Sequence, residues 1–385
     1  MGGSHRGVHR LRGPRLNNPQ PPASASAVAE TSFRIGVAGW SYPDWRGIVY
    51  PPGAGRGFDP LAFLADLLDT IELNNTFYRP PAPRVSASWA RRVEDNPAFR
   101  FTAKAWRRLT HEPRFSRADV EQVRRGLEPL LEAGRLACLL LQYPWSFRNR
   151  ADSRRRLVAT FDALEGLPLA VEVRHASWDE PEFWELLESR CVSYCAVDQP
   201  AHPHNLSALA RTTAVPAYLR LHGRNRAHWF APGAGRDQRY DYLYNDVELA
   251  GLAEKAMQMA EQAAPVYVIA NNHYRGQAVA NALQLKALLR RLASGPMTPT
   301  MAALGGAGET AHNGARGAGE AVHNGATRVV GEAPQDKRQG LQPGGPKIPV
   351  PPWLCDRYPE LRSIAAAAPT PAPKQPRLRF EGDDP

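Results

Sequence analysis

Eight short apolar runs recur along the chain, and each ends in polar residues able to do chemistry. They are RIGVAGWS (34–41), TIELNNTFY (70–78), FRFTAKA (99–105), ACLLLQ (137–142), LAVEVRH (169–175), VSYCAVD (192–198), AYLRLHG (217–223) and VYVIANN (266–272). Helix-like segments separate most of them, near Leu61–Leu68, Arg84–Arg92, Ala118–Glu132, Ser153–Leu164, Pro181–Glu188, Val247–Glu261 and Ala278–Leu292. Asp59 is placed to cap the first of these helices, with Pro60 at its first position. The gap between the sixth and seventh runs is weaker, with Asn205–Arg211 as a short helix candidate. Eight parallel strands alternating with helices predict an α/β fold, a TIM-like (β/α)8 barrel whose working face lies where the strands end.

Within the runs the residues alternate. Thr70, Glu72 and Asn74 oppose Ile71 and Leu73; Arg100, Thr102 and Lys104 oppose Phe101 and Ala103. Glu172 and Arg174 oppose Val171 and Val173; Tyr218, Arg220 and His222 oppose Leu219 and Leu221. Successive strand side chains point to opposite faces, so the apolar set suits packing under helices and the polar set points into the barrel. An ordinary barrel interior is filled by Val, Ile and Leu, and buried charges are costly unless paired. The charged positions therefore imply a ligand site or an internal ion-pair network. After the seventh run, residues 223–245 form a long stretch rich in Gly, Arg and Tyr, the length of a lid or binding loop.

Composition narrows the barrel to one part of the chain. Residues 1–30 read as a flexible N-terminal extension, and 31–295 as a single domain of barrel size. Residues 296–347 read as a low-complexity linker containing an 11-residue repeat, GAGETAHNGAR (306–316) followed by GAGEAVHNGAT (317–327). Residues 348–385 are a Pro-rich tail in which 353–364 regain apolar and aromatic residues suited to a short docking helix interrupted by Pro359. The net charge of +10 is compatible with a small anionic ligand and, more weakly, with nucleic acid. None of the four cysteines forms a CxxC pair, which favours a reducing, cytoplasmic setting. No apolar run is long enough to span a membrane, and the basic N-terminus lacks the apolar stretch of a signal peptide.

The candidate chemistry gathers at the run ends. Glu72, Glu172 and Asp198 are candidate catalytic acids, able to act as a general acid/base pair or, with His222, to hold a divalent metal. Lys104, Arg174 and Arg220, with His175 and His222, suit a phosphate or carboxylate. The same cations equally suit internal pairing with Glu72 and Glu172. Trp40, Tyr42 and Tyr78 offer stacking surfaces, while Asn74, Gln142, Asn271 and Asn272 offer amides for hydrogen bonding. No HExxH, P-loop, GxGxxG after a strand or GxSxG elbow occurs, so no particular metal or cofactor is indicated.

The motifs GVAGWSYPDWRGIVYP (36–51), IELNNTFYRPP (71–81), FRFTAKAWRRLTH (99–111), LLLQYPWSF (139–147), VEVRHASW (171–178), YLRLHG (218–223) and YVIANNHYRGQAVANA (267–282) resemble, in order, those of the DUF72 (YecE-like) family. The resemblance runs from about 33 to 292. It implies a TIM-like barrel and, on the matching motifs, adds Gly39, Trp45, Thr76, Phe77, His111, Trp178 and Gly223 to the residues of interest. Asn75 and Ala270 stand where related sequences often carry Ser and Phe. The family name carries no activity, so the resemblance leaves the reaction to be read from the site. The expected function is a small anionic or sugar-like substrate bound at the barrel mouth by an enzyme. The alternatives are a nucleic-acid-binding or metal-assisted phosphodiester-processing barrel and a non-catalytic ligand-binding protein.

Overall fold

Period-two alternation becomes two distinct cores. A computed structural model describes residues 32–294, except 207, 208, 230 and 232, together with 347–366. Its strands are β1 (Phe33–Ala38), β2 (Thr70–Leu73), β3 (Arg100–Lys104), β4 (Leu136–Gln142), β5 (Leu169–Glu172), β6 (Ser193–Asp198), β7 (Ala217–Leu221) and β8 (Val266–Ala270). All neighbours are parallel and follow chain order, and β8 closes on β1. The outward residues, such as Ile71, Leu73, Leu139, Leu141, Leu219 and Val268, join a large core under the helices. The inward ones form a separate small cluster of Ala38, Cys138, Leu140, Ala170, Cys195, Val197, Tyr218, Tyr267 and Ile269. The expected (β/α)8 barrel is the observed fold.

Helices α1 (Pro60–Leu67), α2 (Pro83–Arg92), α3 (Arg117–Glu132), α4 (Ala151–Ala163), α5 (Pro181–Ser189), α6 (Asp246–Gln262) and α7 (Gln277–Ser294) fall within two residues of their expected starts. Asp59 caps α1 by accepting from the backbone N–H groups of Leu61 and Ala62. The expectation of a short helix at Asn205–Arg211 is not met: its described residues, 205–206 and 209–211, are not helical. Asn205 instead donates to the Pro200 carbonyl and bridges back to His175, so the segment is held as an irregular loop. Two glycines answer to steric need. A Cβ on Gly36, inside the barrel, would lie 1.9 Å from the Thr70 carbonyl oxygen. Gly223 turns the chain after β7 at a φ of +86°, where a Cβ would also collide with Tyr242.

The docking element expected at 353–364 is present as two short pieces. Helix α8 (Pro352–Arg357) stops at Tyr358, and a 3-10 turn follows at Pro359–Ser363, because Pro359 disfavours a helical residue before it. Ile348, Val350, Leu354, Cys355, Tyr358, Leu361 and Ile364 are buried. Trp353 stacks near Phe63 and donates to the Val49 carbonyl, and the Tyr358 hydroxyl donates to the Arg275 carbonyl. The segment thus rests on the loops after β1 and β8. Leu361→Ala is expected to lower the unfolding free energy by roughly 2–5 kcal/mol, the usual cost of such a truncation in a packed core. Denaturant titration checks it, and a loss below about 0.5 kcal/mol would mean the segment adds nothing to the fold. The N-terminal extension, the 306–327 repeat and the tail beyond 366 lie outside the described residues. Among the described residues no helix is long and apolar enough to cross a membrane.

Candidate functional site

Inward positions on β2, β3, β5 and β7 converge at the C-terminal mouth. Register aligns Ala38, Glu72 and Thr102 across β1, β2 and β3, and Gln142 with Glu172 across β4 and β5. Arg220, from β7, lies almost fully buried at the centre. Its Nη2 is 2.7 Å from Glu72 Oε1, and its Nη1 donates to Glu172 Oε2. The second oxygen of Glu72 accepts from the Tyr218 hydroxyl (2.8 Å), which in turn lies 2.7 Å from Thr102 Oγ1. The second oxygen of Glu172 accepts from Nε of Arg174 at 2.7 Å. Both carboxylates are therefore bound at both oxygens.

The electrostatics follow from this packing. Burial alone would raise the Glu172 carboxyl, but Arg220 and Arg174 hold it well below the usual carboxylate range. The two guanidinium groups thus favour the ionised form of Glu172. His222 is fully buried, and burial, reinforced by Arg220, lowers its pKa to about 3. The imidazole is neutral; its Nδ1 is 2.9 Å from the Asn271 amide, and its Nε2 faces Arg174 and Arg220 at 3.4 Å each. Burial also keeps the Cys195 thiol well above its ordinary pKa, so this inward cysteine is an inert filler.

Above the paired layer sit two cations with capacity to spare. Lys104 is half-buried, with its ammonium 4.8 Å from the centre of the Phe77 ring. Arg174 spends Nε and Nη2 on one oxygen of Glu172. Among the described residues neither the Lys104 ammonium nor Nη1 of Arg174 has a hydrogen-bond or salt-bridge partner. Burial, then the charge of Arg220, lowers the Lys104 pKa to about 8. Beside it His111 packs edge-on to the same Phe77 ring at 5.0 Å, and burial together with Lys104 lowers its pKa to about 4.

Aromatic rings flank this layer. Tyr42 stacks on His273 (4.6 Å), His273 meets Tyr240 (5.3 Å), Tyr240 meets Trp229 (5.6 Å), and both Tyr240 and Trp229 approach His222. Trp229 and Tyr240 come from the long stretch after β7, which therefore contributes a wall of the mouth.

The expected site residues divide cleanly. Glu72, Glu172, Lys104, Gln142, Arg174, Arg220, His222 and Asn271 converge; Gln142 Oε1 lies 3.4 Å from Arg220. Asp198 does not join them. On β6 the inward positions are Cys195 and Val197, so Asp198 has the opposite parity. It accepts a bidentate pair of bonds from Arg224 and one from the Tyr244 hydroxyl at 2.7 Å. Asn272 is likewise turned outward and donates to the Tyr242 carbonyl and to Asn281. His175 sits apart, bonded to Ser177 and beside Trp145 and His204. Tyr78 is 70% exposed and lends its carbonyl to Trp106. Trp40 packs edge-on to Trp89, while Tyr42 and Asn74 both lie close to Gly39, between β1 and β2. Among the described residues no group of three or more His, Cys, Asp or Glu side chains could hold a metal ion.

Several residues of the mouth were not among the candidates. Tyr218 and Thr102 share the inward faces of Arg220 and Lys104, so period two contains the signal for both. Tyr240 and His273 lie in loops, where no periodicity reports direction.

Comparison with known proteins agrees with this architecture. Residues 34–303 match the family model described as "Protein of unknown function DUF72". The chain is 28% identical over 270 residues to the UPF0759 protein YunF of Bacillus subtilis, covering 66% of this chain and 94% of that protein. Among solved structures it is similar to a DUF72 family protein from Thermotoga maritima, at 36% identity and a TM-score of 0.59, covering 67% of this chain and 98% of the other. A DUF72 family protein from Enterococcus faecalis matches at 28% identity and the same TM-score, covering 67% and 95%.

Proposed function

We propose that this chain, which belongs to the DUF72 family, binds a small anion at the C-terminal mouth of its barrel. A family described as of unknown function supplies the fold and no reaction, so the reading rests on the site. The observation that carries it is an imbalance. Glu72 and Glu172 are spent on Arg220, Tyr218 and Arg174, whereas the Lys104 ammonium and one edge of Arg174 have no protein partner among the described residues. A carboxylate or phosphate would supply the missing acceptor, with Arg174 offering N–H donors in a fixed plane and Lys104 a point charge. The ring wall of Tyr42, His273, Tyr240 and Trp229 suits the body of a sugar or another flat ligand.

Glu172 takes a supporting role in this reading. Bound by two guanidinium groups and ionised, it orients Arg174 and does not transfer protons. The test is calorimetric titration of the purified protein with phosphate and with malonate. Lys104→Ala and Arg174→Gln should each weaken binding by about tenfold, the effect of losing one charge-assisted hydrogen bond worth about 1.5 kcal/mol. Binding of neither anion, or equal binding by all three proteins, would remove the proposal.

A further inference from the structure

We infer that Lys104 is a nucleophile, and that the anion held at the mouth is a small oxo acid whose carbonyl carbon forms an imine with the Lys104 amine. The inference deepens the anion-binding reading and rests on it for the choice of ligand.

Four observations support it. Lys104 ends β3 on the inward face, so its nitrogen stands at the mouth and not on the protein surface. No described carboxylate pairs with it, since both nearby ones are committed elsewhere. The chain uses lysine sparingly, with six among its 48 basic residues, and among the described residues Lys104 is the one at this mouth. An arginine there would bind an anion equally well; what lysine adds is a nitrogen that can give up its proton. Burial, then the charge of Arg220, favours that loss against the opposing pull of Glu72 and Glu172, bringing the pKa to about 8.

The chemistry balances without an oxidant or reductant. With the substrate carboxylate on Arg174, the Lys104 lone pair attacks the carbonyl carbon. The C–N bond forms, the π electrons move to oxygen, and a proton passes from nitrogen to that oxygen by way of solvent. The C–O bond of the carbinolamine then breaks, the oxygen takes a second proton and leaves as water, and the iminium remains. Its positive charge sits where the ammonium was, so the charge of the mouth is unchanged.

The experiment is reductive trapping on the full chain. Glyoxylate plus cyanoborohydride, which delivers hydride to an iminium and makes the bond permanent, is applied at neutral pH. Peptide mass spectrometry then compares labelling at Lys104 with that at Lys347, an exposed lysine of the same molecule. Lys104 is expected to label at least about tenfold faster, since a lowered amine pKa raises the reactive fraction at pH 7. Excess phosphate should slow it, while leaving Lys347 unchanged. Lys104→Arg should still bind phosphate by calorimetry, yet its overall labelling should fall to the background set by the other amines. Labelling of Lys104 no faster than of Lys347, alongside retained phosphate binding, overturns the nucleophile and leaves the anion site standing. Fast labelling by uncharged acetaldehyde as well, with no protection by phosphate, overturns the oxo acid as the ligand class. Loss of both labelling and phosphate binding in the wild-type protein overturns both readings.

Discussion

Arg220→Met should lower the stability of the barrel by about 3–5 kcal/mol, the usual cost of removing one partner from a buried ionic cluster. The arginine has 1% of its surface exposed and binds Glu72 and Glu172, both of which have none. Methionine fills much of the same volume, so the loss is electrostatic rather than a cavity effect. The two carboxylates do not suffer equally. Glu172 keeps Arg174, whereas Glu72 is left with the Tyr218 hydroxyl alone. Adding Glu72→Gln to Arg220→Met should therefore recover most of the loss, and adding Glu172→Gln instead should recover less. Urea titrations with an unchanged slope would report this as stability and not as a change in the unfolded chain. A loss below 1 kcal/mol for the single variant would mean that the cluster is not an essential support of the fold.

Acid should destabilise the protein well before its carboxylates titrate, and His222 should be a major cause. The buried imidazole has a pKa of about 3 in the folded state, whereas an unfolded histidine protonates near 6.5. Between those values the unfolded chain holds a proton at this site and the folded chain does not. Stability therefore rises with pH across the window and is lost as pH falls from about 6.5, by about 1.4 kcal/mol per pH unit for this one group. His111, lowered to about 4, acts in the same direction. Glu172 is lowered too, so its contribution is complete above the ordinary carboxylate range and falls away only below about 4.5. Denaturation midpoints at stepped pH, in wild type and in His222→Gln, separate the terms. The variant should lose about one proton's worth of slope between pH 6 and 5. Identical slopes would show that His222 accepts a proton without cost in the folded state.

Much of the fold was readable because one period served every strand. The alternation of Glu72 with Leu73, or of Arg220 with Leu221, is enough to sort residues between an inner and an outer core. The same rule corrects the treatment of Asp198. Counting by twos along β6 from the inward Cys195 puts Asp198 on the outer face, where Arg224 and Tyr244 hold it. Whether the charges of the mouth served each other or a ligand was not readable, because the answer depends on which oxygens meet which nitrogens across the barrel. Glu72 and Tyr218 are 146 positions apart, and their 2.8 Å contact exists only once eight strands close. The inner layer is self-neutralised, whereas above it the Lys104 ammonium and Nη1 of Arg174 have no hydrogen-bond or salt-bridge partner among the described residues.

The returning segment at 347–366 has a topological consequence. In a barrel of this kind every adjacent pair of strands is tied by a length of chain, except the first and last, which are joined only by non-covalent contacts. That junction is the one place where the cylinder could be peeled open without dragging a crossover along. Trp353 holds the loop after β1, and Tyr358, five residues on, holds the loop after β8. The returning segment thus supplies an eighth tie, a clasp across the seam that no crossover spans, and it does so at the C-terminal rim of the barrel.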